Sequence, residues 1–295
     1  MAYTTTDFLA SVRARGSIPT TTNSNNVNST ANLLILATEE LHIKLFPLLL
    51  GVREEFYVTK TEYAITAGQA AYAIPYRAAG GSLRDIQIIQ GSNIYSLSTI
   101  DSDYITTTVQ GTVQGFYLEN NNVILYPTPG ATTGILRLRY FRRPGRLAAT
   151  TSCAQVTAIN TGTNQVTVAS IPTAWATGTA IDFIQAIAPS VTLDVDYAIS
   201  TVASTVITFA ALPAGLAVND WLAPAEYTPI PQVPFEFLPV LCQMTVVKAL
   251  EAVGDREGAK AAHSDLEIIK QSALSIILPR VVGETRKVIN RNWRR

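Results

Sequence analysis

A chain of 295 residues with 47 % apolar and 15 % charged side chains has material for a sizeable core, and its formal net charge is +0. That balance gives no whole-molecule attraction to a polyanion, and so low a charge fraction fits a surface shared with neighbouring subunits. Neither a signal peptide nor a membrane span is expected, and the two cysteines, Cys153 and Cys242, do not make a disulfide framework.

In chain order, Thr6 or Asp7 caps a short helix over 8–15 that Gly16 stops, and the Thr-, Asn- and Ser-rich stretch 17–30 reads as loop. Ser29 opens a second helix. Its Leu34, Ala37, Leu41, Leu45 and Leu48 recur at three and four residues and mark one apolar face, and Pro47 kinks or ends it. From Phe56 the period drops to two. Strands are expected at 57–59, 71–74, 85–89, 116–119, 123–126 and 135–141, with Asn120, Asn121 and Asn122 supplying a hairpin turn. The last strand sets Leu136, Leu138 and Tyr140 on one face and Arg137 and Arg139 on the other.

Composition shifts at Leu147. Between 147 and 230 there is no Lys or Arg, only Asp182, Asp194, Asp196, Asp220 and Glu226. Short strands at 154–159, 165–169, 181–187, 197–201 and 206–209, split by Gly, Asn and Pro, predict a small closed β-module, a barrel or sandwich. The proline-rich run 224–239 reads as a stiff linker. Two helices follow, starting at 235 or 240 and ending at 253, then 256–278. Gly254 and Asp255 join them as a helical hairpin, and Ala262, Leu266, Ile269, Ala273 and Ile276 form a packing seam.

The expected fold class is α+β, with a helical bundle formed by the N- and C-terminal helices (1–56 with 230–278). An antiparallel β-rich region (57–146) and the small β-barrel or sandwich module (147–229) are inserted between them, and a basic docking arm (279–295) closes the chain.

The arm carries Arg280, Arg286, Lys287, Arg291, Arg294 and Arg295 against the single acid Glu284, a net charge of +5. It has too little apolar surface to bury itself, so it is built to lie on nucleic acid, a membrane or another protein. Trp293 has no core of its own in such a strip and reads as an anchor for a partner's pocket. Beside an acidic module, the arm reads as a protein-docking peg. A nucleic-acid binder using the same arm would show a steep salt dependence.

Catalytic patterns are missing from the sequence. His42 and His263 lie on separate helices without ligand-spaced acids or thiols, and the cysteines read as packing residues. The pairs Glu54/Glu55, Asp101/Asp103 and Asp194/Asp196 read as solvated loops. No phosphate-cradling or nucleophile-elbow motif occurs, so no enzyme activity, cofactor or metal site is expected. Arg137, Arg139, Arg142, Arg143 and Arg146 form a second basic cluster, either a solvated sheet face or a set of intersubunit salt bridges. Trp175 and Trp221 either cover a small barrel's core or stack on host glycan, which would make the chain a tail or surface recognition protein.

Several phrases carry a resemblance: DFLASVRARGSIP at 7–19, REEF at 53–56, ITAGQAAYAIPYRAAGGSLRDI at 65–86, YPTP at 126–129, LRLRYFRRPGRL at 136–147 and RVVGETRKVINRN at 280–292. In these the chain resembles the head-to-tail adaptor proteins of tailed bacteriophages, chiefly the helix-bundle connectors of short-tailed phages. The resemblance implies a structural protein of the virion neck, assembled in the host cytoplasm as a ring of twelve copies beneath the portal. Its partners would be further copies of itself, the portal protein and a tail or nozzle protein, with DNA only passing through the channel and no membrane contact. It implies docking on the portal through the arm, with Arg280, Arg286, Lys287, Asn290, Arg291, Trp293, Arg294 and Arg295, and it makes Arg137, Arg139, Arg142 and Arg143 candidate intersubunit contacts.

Overall fold

The computed structural model describes residues 3–21, 23, 26–105, 109–132, 134–187 and 192–277, and the arm at 279–295 lies outside them. The described residues fall into two compact units, one made of those up to Ala37 and from Leu147 onward, the other of Thr38–Arg146.

Helix α1 spans Thr5–Gly16. Its N-cap is Thr4 rather than Thr6 or Asp7, because Thr4 and Asp7 build a capping box in which Thr4 N donates to Asp7 Oδ2 at 2.9 Å. Gly16 is still helical, and Ser17, with φ 49°, ends the helix. The second helical stretch is continuous through α2 (Thr30–Glu40), a π-helical turn (Leu41–Leu45) and α3 (Phe46–Val52). Pro47 does not end it, because it sits in the first turn of α3, where a missing N–H is tolerated. The π turn inserts one residue, so the fully buried face is Leu33, Ala37, Leu41, Leu45 and Leu49, and not Leu48.

Near the C-terminus, α4 (Leu238–Val253) ends at Gly254 (φ 88°), where Gly254 N and Asp255 N reach back to Glu251 O and Leu250 O. Asp255 then caps α5 (Arg256–Ile277) by accepting from Gly258 N at 2.9 Å. The buried seam of α5 ends on Ile277, and Ile276 is exposed.

The expected α+β fold built on a bundle of N- and C-terminal helices is overturned. The described residues are mostly β, with a closed six-stranded barrel and four helical segments. Helix α1 packs on α4 and α4 on α5, but the second helical stretch is divided between the units at Ala37 and Thr38. An apolar stripe requires that a helix be covered, without fixing what covers it. Here the later turns belong with residues 38–146, where Phe46 meets Tyr57 edge-on at 4.8 Å between ring centroids.

Within residues 38–146, a four-stranded antiparallel sheet has the order Val58–Ala64, Ile135–Arg142, Ala78–Gln90, Asn93–Ser96. A second sheet has the order Ala71–Ala73, Asn122–Tyr126, Gly115–Glu119, Ser98–Thr99. Residues of both sheets, among them Ile86, Ile88, Val123, Leu125, Leu136, Leu138 and Tyr140, form one apolar core. Asn120 and Asn121 adopt φ 47° and 60° in a two-residue hairpin loop, the conformation asparagine tolerates best after glycine.

The barrel runs Ala154–Asn160, Gln165–Val168, Val206–Phe209, Thr192–Ala203, Ala180–Ile184, Trp221–Pro224 and back to the first strand, all antiparallel. Val156, Val166, Ile181, Phe183, Ile199, Ile207, Phe209 and Leu222 fill it. The closing strand, Trp221–Pro224, overlaps the start of the expected stiff linker. Residues 229–234 are buried: Pro229 O accepts from Thr5 N at 2.7 Å, and Gln232 Nε2 donates to Thr192 Oγ1 at 2.7 Å.

Candidate interaction surfaces

The basic strand places its arginines unequally. Arg137 lies opposite Glu62 in register, and both its Nε and Nη2 reach Glu62 Oε1 at 2.8 Å. Lys60 Nζ donates to the same oxygen at 2.9 Å, and hydrogen bonds from Lys60 first and Arg137 second hold the Glu62 carboxyl below the usual range. Arg139 sits opposite Lys60 and Asp85, and Arg142 Nη2 donates to Thr59 Oγ1 at 3.0 Å. Arg143 and Arg146 are exposed beyond the strand's regular part. Arg137 is thus engaged within its own sheet. Its partner Glu62 escaped the sequence reading, because the strand runs on to Ala64 where period two was expected to stop at 59.

The barrel's acids also divide. Asp182 and Asp220 are buried and act as internal braces: Asp182 accepts from Asp196 N and Glu226 N, and Asp220 accepts from Ala186 N and Ala217 N, both at 2.8 Å. Asp194 and Glu226 are half-buried and Asp196 is exposed, so the barrel surface is charge-poor more than acidic. Asp194 accepts from Tyr197 OH at 2.8 Å; burial first, and this bond second, push the phenol up to about 12.

The indoles give no stacking platform at Trp175, which is part of the barrel core. Trp221 is half-buried against Ala148, Cys153, Ile184, Ala223 and Ile230. Cys153 and Cys242 are buried free thiols, both raised by burial, Cys153 to about 12. Of the acid pairs, Glu54 meets Arg84 at 2.6 Å and Glu55 meets Arg53 at 3.1 Å, while Asp101 accepts from Asp103 N at 3.1 Å. His263 is exposed on α5, whereas His42 is half-buried and donates from Nε2 to Pro144 O at 2.9 Å, more than a helix-surface role. Among the described residues no group of three His, Cys, Asp or Glu side chains could hold a metal ion.

Helix α5, which precedes the arm, leaves Ile268 and Ile276 about two-thirds exposed (65 % and 63 %). The arm residues Arg280, Arg286, Lys287, Asn290, Arg291, Trp293, Arg294 and Arg295 lie outside the described residues.

The protein-family model for the SU10 adaptor protein matches residues 3–181. The chain belongs to the SU10 adaptor protein family. The match takes in α1 to α3, all of residues 38–146 and the barrel as far as Ile181, leaving α4, α5 and the arm beyond it. Membership makes this SU10 adaptor a structural component of a phage virion at the head–tail junction. No curated protein matches the chain. Among the described residues of the SU10 adaptor no helix is long and apolar enough to cross a membrane.

Proposed function

We propose that this SU10 adaptor assembles as a ring of twelve copies in the neck of a short-tailed virion, joining the portal to a tail or nozzle protein while DNA passes through its channel. The family match over residues 3–181 is the observation that carries this reading. A ring closes when one patch of a subunit meets a different patch on the next. The exposed Ile268 and Ile276 of α5 and the exposed Arg143 support such a shared surface.

In this reading the arm docks on the portal. Arg280, Arg286, Arg291, Arg294 and Arg295 fork onto carboxylates or carbonyls, and Trp293 fills a pocket. The role is structural and not catalytic, exercised in the virion after assembly in the host cytoplasm. A host-glycan role for the barrel loses support, since Trp175 is inside the core.

Electron micrographs of the purified chain mixed with its portal test the reading. Twelve-membered rings seated on the portal are expected. Monomers that leave the portal bare would overturn it.

A further inference from the structure

The first four-stranded sheet of residues 38–146 ends in two unlike edges. One is Val58–Ala64, where Lys60 and Glu62 are exposed, and charge of this kind protects an edge from pairing with another chain. The other is Asn93–Ser96, which pairs with Ala78–Gln90 on one side and, among the described residues, has no strand on its other side. This second edge carries no such protection. The sequence from Ile86 to Ile100 holds neither a charged residue nor a proline. All four residues of the strand are exposed, Ile94 by 55 % and Tyr95 by 51 %.

Tyr95 lies opposite Ile88, a core residue, so its ring is on the inner face of the sheet. There it lines a groove of about 560 Å³ with Ile65, Ile88, Leu97, Val113 and Pro129, and none of the groove's residues is charged. An open edge beside an apolar groove takes an added strand: main-chain hydrogen bonds hold it, and alternate side chains enter the groove. The added strand must be neutral, because a charge set over this groove would lose its water without gaining a partner. The arm, at +5, does not meet that condition. A second copy of Asn93–Ser96 does, since it is neutral and continues into Leu97, two residues beyond Tyr95 and on the same face.

We propose that this edge seats a second copy of the chain, with the two Asn93–Ser96 strands antiparallel about a two-fold axis at Tyr95. That register keeps both tyrosines on the groove face and sets Ile94 opposite the partner's Ser96. It also continues the antiparallel order into one sheet with four strands from each copy. A two-fold contact uses the same patch on both molecules, whereas a ring closes through different patches. The inference therefore stands apart from the adaptor reading and needs neither ring nor portal.

Sedimentation velocity of the purified full chain without portal tests it, with Ile94→Lys and Tyr95→Cys beside the wild type. The wild type is expected to run as a two-copy species at micromolar concentration. Ile94→Lys, with an unchanged circular dichroism spectrum, should weaken the pairing at least about tenfold by giving the edge a charge. Tyr95→Cys should form an intermolecular disulfide on oxidation, because residues opposed in an antiparallel pair stand about 4.5–5.5 Å apart between Cα atoms, a distance a disulfide spans. Cys153 and Cys242 are buried, so the wild type should give no such link. A monomeric wild type would overturn the pairing. So would an association that Ile94→Lys leaves at full strength, or one that persists in Tyr95→Cys without cross-linking. A chain that stays single and loses its tail protein on Ile94→Lys would give the edge to that partner instead.

Discussion

Asp182 Oδ1 accepts the backbone N–H of Asp196 at 3.0 Å. The other oxygen, Oδ2, accepts from Glu226 N at 2.9 Å, and both donors belong to residues in the left-handed region, at φ 61° and 71°. One buried carboxylate therefore pins an irregular point within the strand Thr192–Ala203 and the turn at Glu226, both in a conformation L-residues adopt reluctantly. Asp182→Ala removes the acceptor of two part-buried hydrogen bonds and should cost about 3 kcal/mol; Asp182→Asn keeps one acceptor and should cost about half as much. Urea unfolding followed by tryptophan fluorescence reads both variants. Equal stability of all three proteins would rule out the brace.

That brace marks where sequence reading stops. Alternation over 135–141 reveals a strand with a basic face, and turn residues between short apolar runs reveal the small strands of the barrel. Neither pattern shows that Asp182 and Asp220 point inward, because a carboxylate becomes a core residue only when the fold brings backbone donors to it. What covers the second helical stretch was illegible for a related reason, and the expected bundle was wrong. Leucine spacing over 34–48 is the same whether the helix is covered by other helices or, as for Leu45 and Leu49, belongs with a β unit. The strand Trp221–Pro224 was hidden by its proline, which is tolerated there because it stands at the strand's end. Of the candidate surfaces, the arm and the arginine strand were visible in the sequence, whereas the Glu62 partnership and the exposure of Ile276 depend on register and packing.

Two glycines should respond oppositely to alanine. A Cβ on Gly115 would stand 2.6 Å from Ser98 O and from the Ile100 side chain, which would force apart the parallel pairing of Ser98–Thr99 with this strand. Gly115→Ala should destabilise by about 2 kcal/mol. A Cβ on Gly51, in the last turn of α3, would meet nothing within 4 Å, and Gly51→Ala should stabilise by about 0.5–1 kcal/mol. Thermal melts of the two variants check the sign of each.

The Glu62 pair should matter little and only where the carboxylate is charged. Its folded pKa is depressed, so its contribution is present above the unfolded carboxylate range of about 4.3 and is lost as pH falls through the lower folded value. Glu62→Gln should cost under about 1 kcal/mol at pH 7, less in high salt, and nothing once pH has fallen below the lowered folded value. A constant difference across that window would contradict the assignment.

Both thiols should resist alkylation in the folded state. Burial raises Cys153 to about 12 and raises Cys242 as well, so almost no thiolate exists at pH 8. Iodoacetamide should label neither until denaturant is added, and rapid native labelling would show that one of them is open to solvent.

The role proposed for the basic arm is to hold this SU10 adaptor on its portal. Co-sedimentation of the purified portal with the full chain and with a chain ending at Leu278 measures this. The truncated protein should keep its circular dichroism spectrum but no longer sediment with the portal, and Trp293→Ala should weaken binding by at least about tenfold, as for a buried aromatic anchor. Undiminished sedimentation of the truncated chain would refute the docking role.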